Sequence, residues 1–224
     1  MGFVTLAHKV AEAKKPSIGL LLGDIAEGSL VKLNENGSPV EFYVAKHDYE
    51  PSLNGSGRTL LVRKDCYDKQ QWHSSSNVNE FDTCTISVWL NGTYKALLDT
   101  DVQTAIGETT FYYTTGDAKL VTLSKAVFLL SVTELGLTHS TANVEGSELP
   151  IADQLRYVYL DGEAAIQWTR TPRDNTDSEY VFSVTTTQTA NPKMTTTKYG
   201  SRPCFTLPSS TVFNEETLLF EEVS

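Results

Sequence analysis

The stretch Tyr199-Gly200-Ser201-Arg202-Pro203-Cys204-Phe205-Thr206-Leu207-Pro208 decides how the chain is read. Gly200 offers a backbone free to turn at positive φ, and Pro203 biases Arg202 towards an extended conformation. A strand then puts Phe205 and Leu207 on one face, with Cys204 and Thr206 on the other. Pro203 fits only as the first residue of that strand or on a sheet edge, and Pro208 stops it. The expected element is a buried closing strand, with Arg202 held inside as a structural cation.

Just upstream, Tyr180–Thr187 reads as a strand placing Phe182, Val184 and Thr186 on one face. The segment from Thr185 to Tyr199 that follows is polar, almost uncharged and rich in threonine, whose hydroxyl both donates and accepts. Asn191-Pro192 is expected to form the tip of a hairpin there. Thr187, Gln188, Asn191 and Lys193, with the ring of Tyr199, make this the candidate ligand-binding surface. A solvated hairpin kept wet by threonine is the plainer alternative.

Further back, Asn36-Gly37 is the strongest local turn signal and joins strands over 29–33 and 39–46. Residues 50–58 read as a polar loop and 59–63 as a strand. Few aliphatics fall in 65–82, which predicts an irregular loop. A helix should start at Asp82 or Thr83, bury Ile86, Trp89 and Leu90, and break at Asn91-Gly92. A further turn carries Tyr94, Leu97 and Leu98, and a short helix carries Val102 and Ile106. Strands are expected over 111–114, 126–130, 165–170 and 194–198. Ser131-Val132-Thr133-Glu134 has capping-box spacing, and 140–148 reads as polar and flexible. Trp72, Trp89, Trp168 and Arg170 are expected to be structural, Arg170 meeting a carboxylate or carbonyl partner.

The chain has 224 residues and a net charge of −10, with a pI near 4.8. That field argues against nucleic acid and against an anionic membrane surface. No run of about 18 apolar residues suggests a membrane span. The start does not read as a signal peptide, because Lys9, Lys14 and Lys15 follow the apolar residues and His8 and Glu12 interrupt them. Residues 1–16 read as a short helical segment, too short to stand alone and suited to assembly with another chain. Residues 17–224 read as one domain.

Cys66, Cys84 and Cys204 are odd in number and widely spaced, so free thiols are expected rather than disulfides or a zinc site. His8, His47, His73 and His139 form no metal-spaced pair. There is no G-x-S-x-G elbow and no phosphate-cradling glycine loop. No cofactor, metal or catalytic residue is therefore expected.

Three blocks carry a resemblance. Gly200 to Ser209 resembles a closing G-x-R-P-A-hydrophobic-x-L-P-S motif. Asp65-Cys66-Tyr67, Gln71-Trp72-His73-Ser74-Ser75 and Ile86-Ser87-Val88-Trp89-Leu90-Asn91 resemble a K-D-x-Y, W-x-S-S, I-x-x-[YW]-L-N core. Trp168-Thr169-Arg170-Thr171-Pro172 resembles W-L-R-S-P. Together, from about Gly23 to Glu222, they resemble an uncharacterised domain family carried mostly by phages and prophages of gram-positive gut bacteria. Thr169 stands where that family usually has Leu, and Cys204 where it has Ala. More distantly the family resembles the C-type-lectin-like fold of formylglycine-generating enzymes and phage receptor-binding proteins. The resemblance implies an α+β, C-type-lectin-like, β-rich domain with a few short helices. It further implies a virion protein of the capsid decoration or tail, assembled in the host cytoplasm. Its implied partners are other virion proteins, copies of itself and a host-surface glycan; an architectural component or a lectin-like-fold enzyme are the alternatives.

Overall fold

Asn36 and Gly37, both at positive φ (53° and 72°), close a two-residue hairpin whose twist suits the strands on either side. A computed structural model describes residues 19–173 and 178–221; the expected assembly helix over 1–16 lies outside them. In chain order the first five strands are β1 (Gly19–Leu21), β2 (Leu30–Glu35), β3 (Ser38–His47), β4 (Arg58–Arg63) and β5 (Asp68–Gln71). The single turn α1 (Pro51–Asn54) lies between β3 and β4. Then come α2 (Thr85–Trp89), α3 (Thr100–Ala105), the ribbon β6 (Thr109–Thr114) and β7 (Leu120–Lys125), and α4 (Ala152–Arg156). The small hairpin β8 (Tyr159–Leu160) and β9 (Glu163–Ala164) precedes β10 (Gln167–Pro172) and β11 (Tyr180–Val184). The chain closes through β12 (Ala190–Met194), β13 (Lys198–Ser201), β14 (Cys204–Pro208) and β15 (Val212–Asn214).

Two sheets organise these strands. One is antiparallel in the order β14-β4-β3-β2, and the other runs β12-β11-β10-β13-β5. In the second sheet only β10 and β13 pair in parallel. The architecture is therefore α+β, mixed but mostly antiparallel, with short helices between strands.

The stretch that decides the fold belongs to both sheets: β13 lies in one and β14 in the other, with Arg202-Pro203 between them. Arg202 is buried and donates to the carbonyls of Arg63 (2.7 Å), Lys64 (2.6 Å) and Leu155 (2.5 Å). It thus ties the crossover to β4 and to the end of α4. β14 is an edge strand, as Pro203 requires, yet both its faces are buried. Cys204 bridges to Phe128 through a reciprocal backbone pair, and Thr206 accepts from Arg58. A strand covered on both faces shows no alternation of burial, although its side chains still alternate.

Several expectations need correction. Gly200 is an extended strand residue, and what it provides is room: a Cβ there would collide with Cys66 Sγ and lie 2.9 Å from the Ile166 carbonyl. The irregular loop over 65–82 contains β5, a polar strand that pairs with β13 and reads as loop because it has no aliphatics. The strand expected over 126–130 is β7 instead, at 120–125; only a bridge at Phe128 remains of the former. Asn91-Gly92 does not break the helix. It continues through a wide turn, Leu90–Tyr94, and a tight one, Lys95–Leu97. Asn91 supports the wide turn by donating to the carbonyls of Ser87 and Val127 (2.9 Å each) and accepting from the amides of Ala126 and Val127. Trp89 is half-buried and packs on Tyr67 and Tyr94. The polar stretch 140–148 is anchored by Glu145, which is wholly buried.

One apolar cluster joins both sheets and the ribbon, from Phe42 and Leu61 through Phe111 and Phe128 to Trp72, Trp168 and Phe205. Trp72 donates from its indole to the Thr169 carbonyl at 3.0 Å. Buried indole N–H groups require such a partner.

Candidate functional site

The hairpin after β11 turns earlier than expected. Thr185 N donates to the Thr189 carbonyl at 3.0 Å and Gln188 takes φ 56°, so the tip is 185–189. Asn191 and Pro192 lie within β12, opposite Ser183 and Phe182. Pro192 is tolerated because β12 is the edge strand of its sheet. The Thr185 hydroxyl bonds those of Thr187 (3.0 Å) and Thr189 (2.8 Å), so these hydroxyls are engaged in shaping the tip.

The five candidate residues do not form one surface. Thr187 and Gln188 are at the tip, and Asn191 and Lys193 are on the outer strand. Tyr199 is in β13, three strand spacings or about 14 Å from β12. What the fold does bring to Tyr199 is Thr186, from the same tip, across a groove of about 460 Å³.

That groove is built from the ends of three strands and an overhanging hairpin. Its base is Ile166 and Gly200, joined by a hydrogen bond from the Gly200 amide to the Ile166 carbonyl at 2.9 Å. Gly200 itself is buried, and the space its missing side chain leaves is filled by Cys66. Tyr199 stands edge-on to Trp168, centroids 5.1 Å apart. The Trp168 indole donates to the Gln70 carbonyl at 2.8 Å. The phenol ring is therefore held in a fixed position against Trp168.

The opposite wall is β8 and β9. Asp161 (φ 54°) and Gly162 (φ 83°) make a two-residue turn, and the Asp-Gly pair was the sequence signal for it. The Cys66 amide donates to the Tyr159 carbonyl, and the Tyr159 amide to the Asp65 carboxylate, which fix the hairpin to the body. Residues 155–160 show no periodicity in the sequence, because a strand of two residues is too short to have one. Lys69 and Lys198 line the sheet side, and Asp161 and Glu163 the hairpin side.

The strongest electrostatics lie elsewhere, inside the core. Arg170 is wholly buried and bonds Glu134 through both terminal nitrogens, at 2.6 and 2.9 Å. It also donates to the carbonyls of Tyr112 and Leu129. Glu134 forms the capping box with Ser131 and accepts the Tyr49 hydroxyl. Burial pushes the Tyr49 phenol well up, and the Glu134 charge pushes it the same way. Glu145 accepts from the Thr171 hydroxyl and the Thr114 amide; burial nevertheless raises its carboxyl above the ordinary range. Closed off from solvent, this network staples the ribbon to β10.

The nucleophile candidates are equally enclosed. All three cysteines are buried and free. Burial pushes the thiols of Cys66 and Cys84 up to about 12 and that of Cys204 well up, the opposite of what a reactive thiol needs. His47, His73 and His139 each bond a neighbouring hydroxyl or amide that fixes a loop. No group of three metal-ligating side chains converges among the described residues.

No curated protein matches the chain, and no solved structure matches it. A family model does match, over residues 56–209, which spans the whole groove. That is more than half of the chain, and the protein belongs to the family described as a domain of unknown function, DUF6273.

Proposed function

We propose that this chain is a non-enzymatic binding protein of a phage virion, and that its groove takes a glycan of the host surface. The observation that carries the reading is the groove itself. A ring held edge-on by Trp168 and the Thr186 hydroxyl converge there within a fixed frame. Sugars are held by such combinations of an aromatic face and fixed hydrogen-bonding groups. The C-type-lectin-like fold is part of the same proposal; the mixed sheet closed by the Gly200–Pro208 segment supports it. The virion setting, with assembly in the host cytoplasm beside sister subunits and other virion proteins, rests on the motif resemblance. Three buried thiols with raised pKa favour binding over thiol catalysis.

The test is binding of the purified chain to host cells. Tyr199→Ala combined with Thr186→Ala should abolish it; because Tyr199 packs on the core beside Trp168, the melting temperature should fall by several degrees while unfolding stays cooperative. Equal cell binding by the folded variant and the parent would favour a purely architectural role among virion subunits.

A further inference from the structure

The two walls of the groove carry opposite charge. In the β13–β5 pair, Lys198 faces Gln71 and Gly200 faces Lys69, so the two lysines are diagonal neighbours on one face. Such neighbours lie about 7–8 Å apart, close enough for both ammonium groups to reach one anion. Across the groove, Asp161 lies in the β8–β9 turn and Glu163 directly after it. All four side chains are exposed.

Their lack of partners contrasts with the adjoining hollow. There Lys64 pairs with Glu41 at 2.7 Å and Arg63 with Glu35 at 3.0 Å. Among the described residues, no ion pair joins Lys69 or Lys198 to any carboxylate, and none joins Asp161 or Glu163 to any cation. The lysines stand on sheet strands and the carboxylates on the tethered hairpin, so the two signs reach the groove from different elements. A simple anion would meet the lysines but enter against the field of a chain carrying −10. A ligand that is neutral overall, with an anion at one end and an ammonium at the other, meets both walls and no net repulsion.

From this juxtaposition we infer that the groove selects a zwitterionic group, a phosphate or carboxylate a few bonds from an ammonium, borne on a hydroxyl-rich ligand. This inference rests on the glycan-binding reading of the same groove and narrows it. The phosphate or carboxylate takes Lys69 and Lys198, the ammonium takes Asp161 and Glu163, and the hydroxyls take Thr186 and Tyr199.

The probe is soluble sn-glycero-3-phosphoethanolamine, titrated into the full chain by NMR or calorimetry. Glycerol 3-phosphate, ethanolamine and methyl α-glucoside are titrated beside it. The zwitterion should bind at least about tenfold tighter than either charged half. Lys69→Ala with Lys198→Ala, and separately Asp161→Asn with Glu163→Gln, should each weaken it at least about tenfold at unchanged melting temperature. Vesicles of phosphatidylethanolamine at equal head-group concentration separate the sources: tighter binding there assigns a lipid surface, and equal or weaker binding a soluble polymer. If either half binds as well as the whole, or both charge variants keep full affinity, the inference is overturned. Methyl α-glucoside bound through Tyr199, with no gain from the zwitterion, sinks this inference and leaves the glycan reading standing. If no probe binds, both fall.

Discussion

Arg170 and Glu145 show how a single buried residue sets conditions for the rest. Removing one partner of a buried ion pair costs about 3–5 kcal/mol, because the other charge is stranded. Glu145 stands at the margin of that pair, its Oε2 3.9 Å from Arg170 Nε, with Glu134 and Tyr49 bound to the same guanidinium network and Glu50 nearby across Gly146. Burial raises its carboxyl in the folded chain. As pH rises, the unfolded chain therefore loses this proton first. Stability from this group is fully present below the ordinary carboxylate range and is lost as pH climbs through the raised native value. Urea midpoints at about pH 4 and about pH 7 should show the parent losing stability relative to Glu145→Gln across that interval. A gap that does not change would mean that the Glu145 carboxyl titrates alike in the folded and unfolded chains. The Ser131–Glu134 capping box was legible in the sequence, as was the need of Arg170 for a carboxylate or carbonyl partner, and it has both. Which carboxylate was not, since Glu134 and Arg170 are joined only by the fold.

At the scale of elements, local signals succeeded where the chain solves its problem locally. Asn36-Gly37 specified its hairpin, and the stretch from Thr100 or Asp101 specified a short helix bearing Val102, which is buried. They failed where a distant partner decides. β5 is a strand because β13 pairs with it, although Asp68-Lys69-Gln70-Gln71 carries no strand preference of its own. The wide helical turn at Leu90–Tyr94 depends on Asn91, whose side chain meets four backbone groups on α2 and on the segment after β7. Asn91→Ala would leave those groups without this partner, and about 2–3 kcal/mol of stability should disappear. The check is chemical denaturation with the slope compared between variants. A loss below about 0.5 kcal/mol would show that the turn holds without Asn91.

Across the whole molecule, the candidate site was half legible. The sequence pointed to the late threonine-rich segment and to Tyr199, and the Tyr199 end of that segment does line the groove. It missed the opposite wall, because Asp161-Gly162 joins strands of two residues and reads as an isolated turn. It also placed the hairpin tip at Asn191-Pro192, where the turn preference of that pair is overridden by the pairing of β12 with β11. The three thiols report on the integrity of the entire fold. Cys204 and Cys84 are fully buried and Cys66 is packed beneath Gly200. With a thiol reagent at about pH 8, the folded chain should be nearly inert and the unfolded chain should titrate all three cysteines. A single fast-reacting thiol in the folded chain would contradict the buried placement.

The position of Pro192 has a consequence for crowding. The bonds Thr185 N to Thr189 O and Thr195 N to Glu179 O place Pro192 at a site facing away from β11. An amide there would point out of the open edge of the sheet, ready to pair with another chain. Proline has none, so a row of donors that would otherwise run along the rim is interrupted at its midpoint. Chains brought side by side at high density can then lie edge to edge without knitting into a continuous sheet.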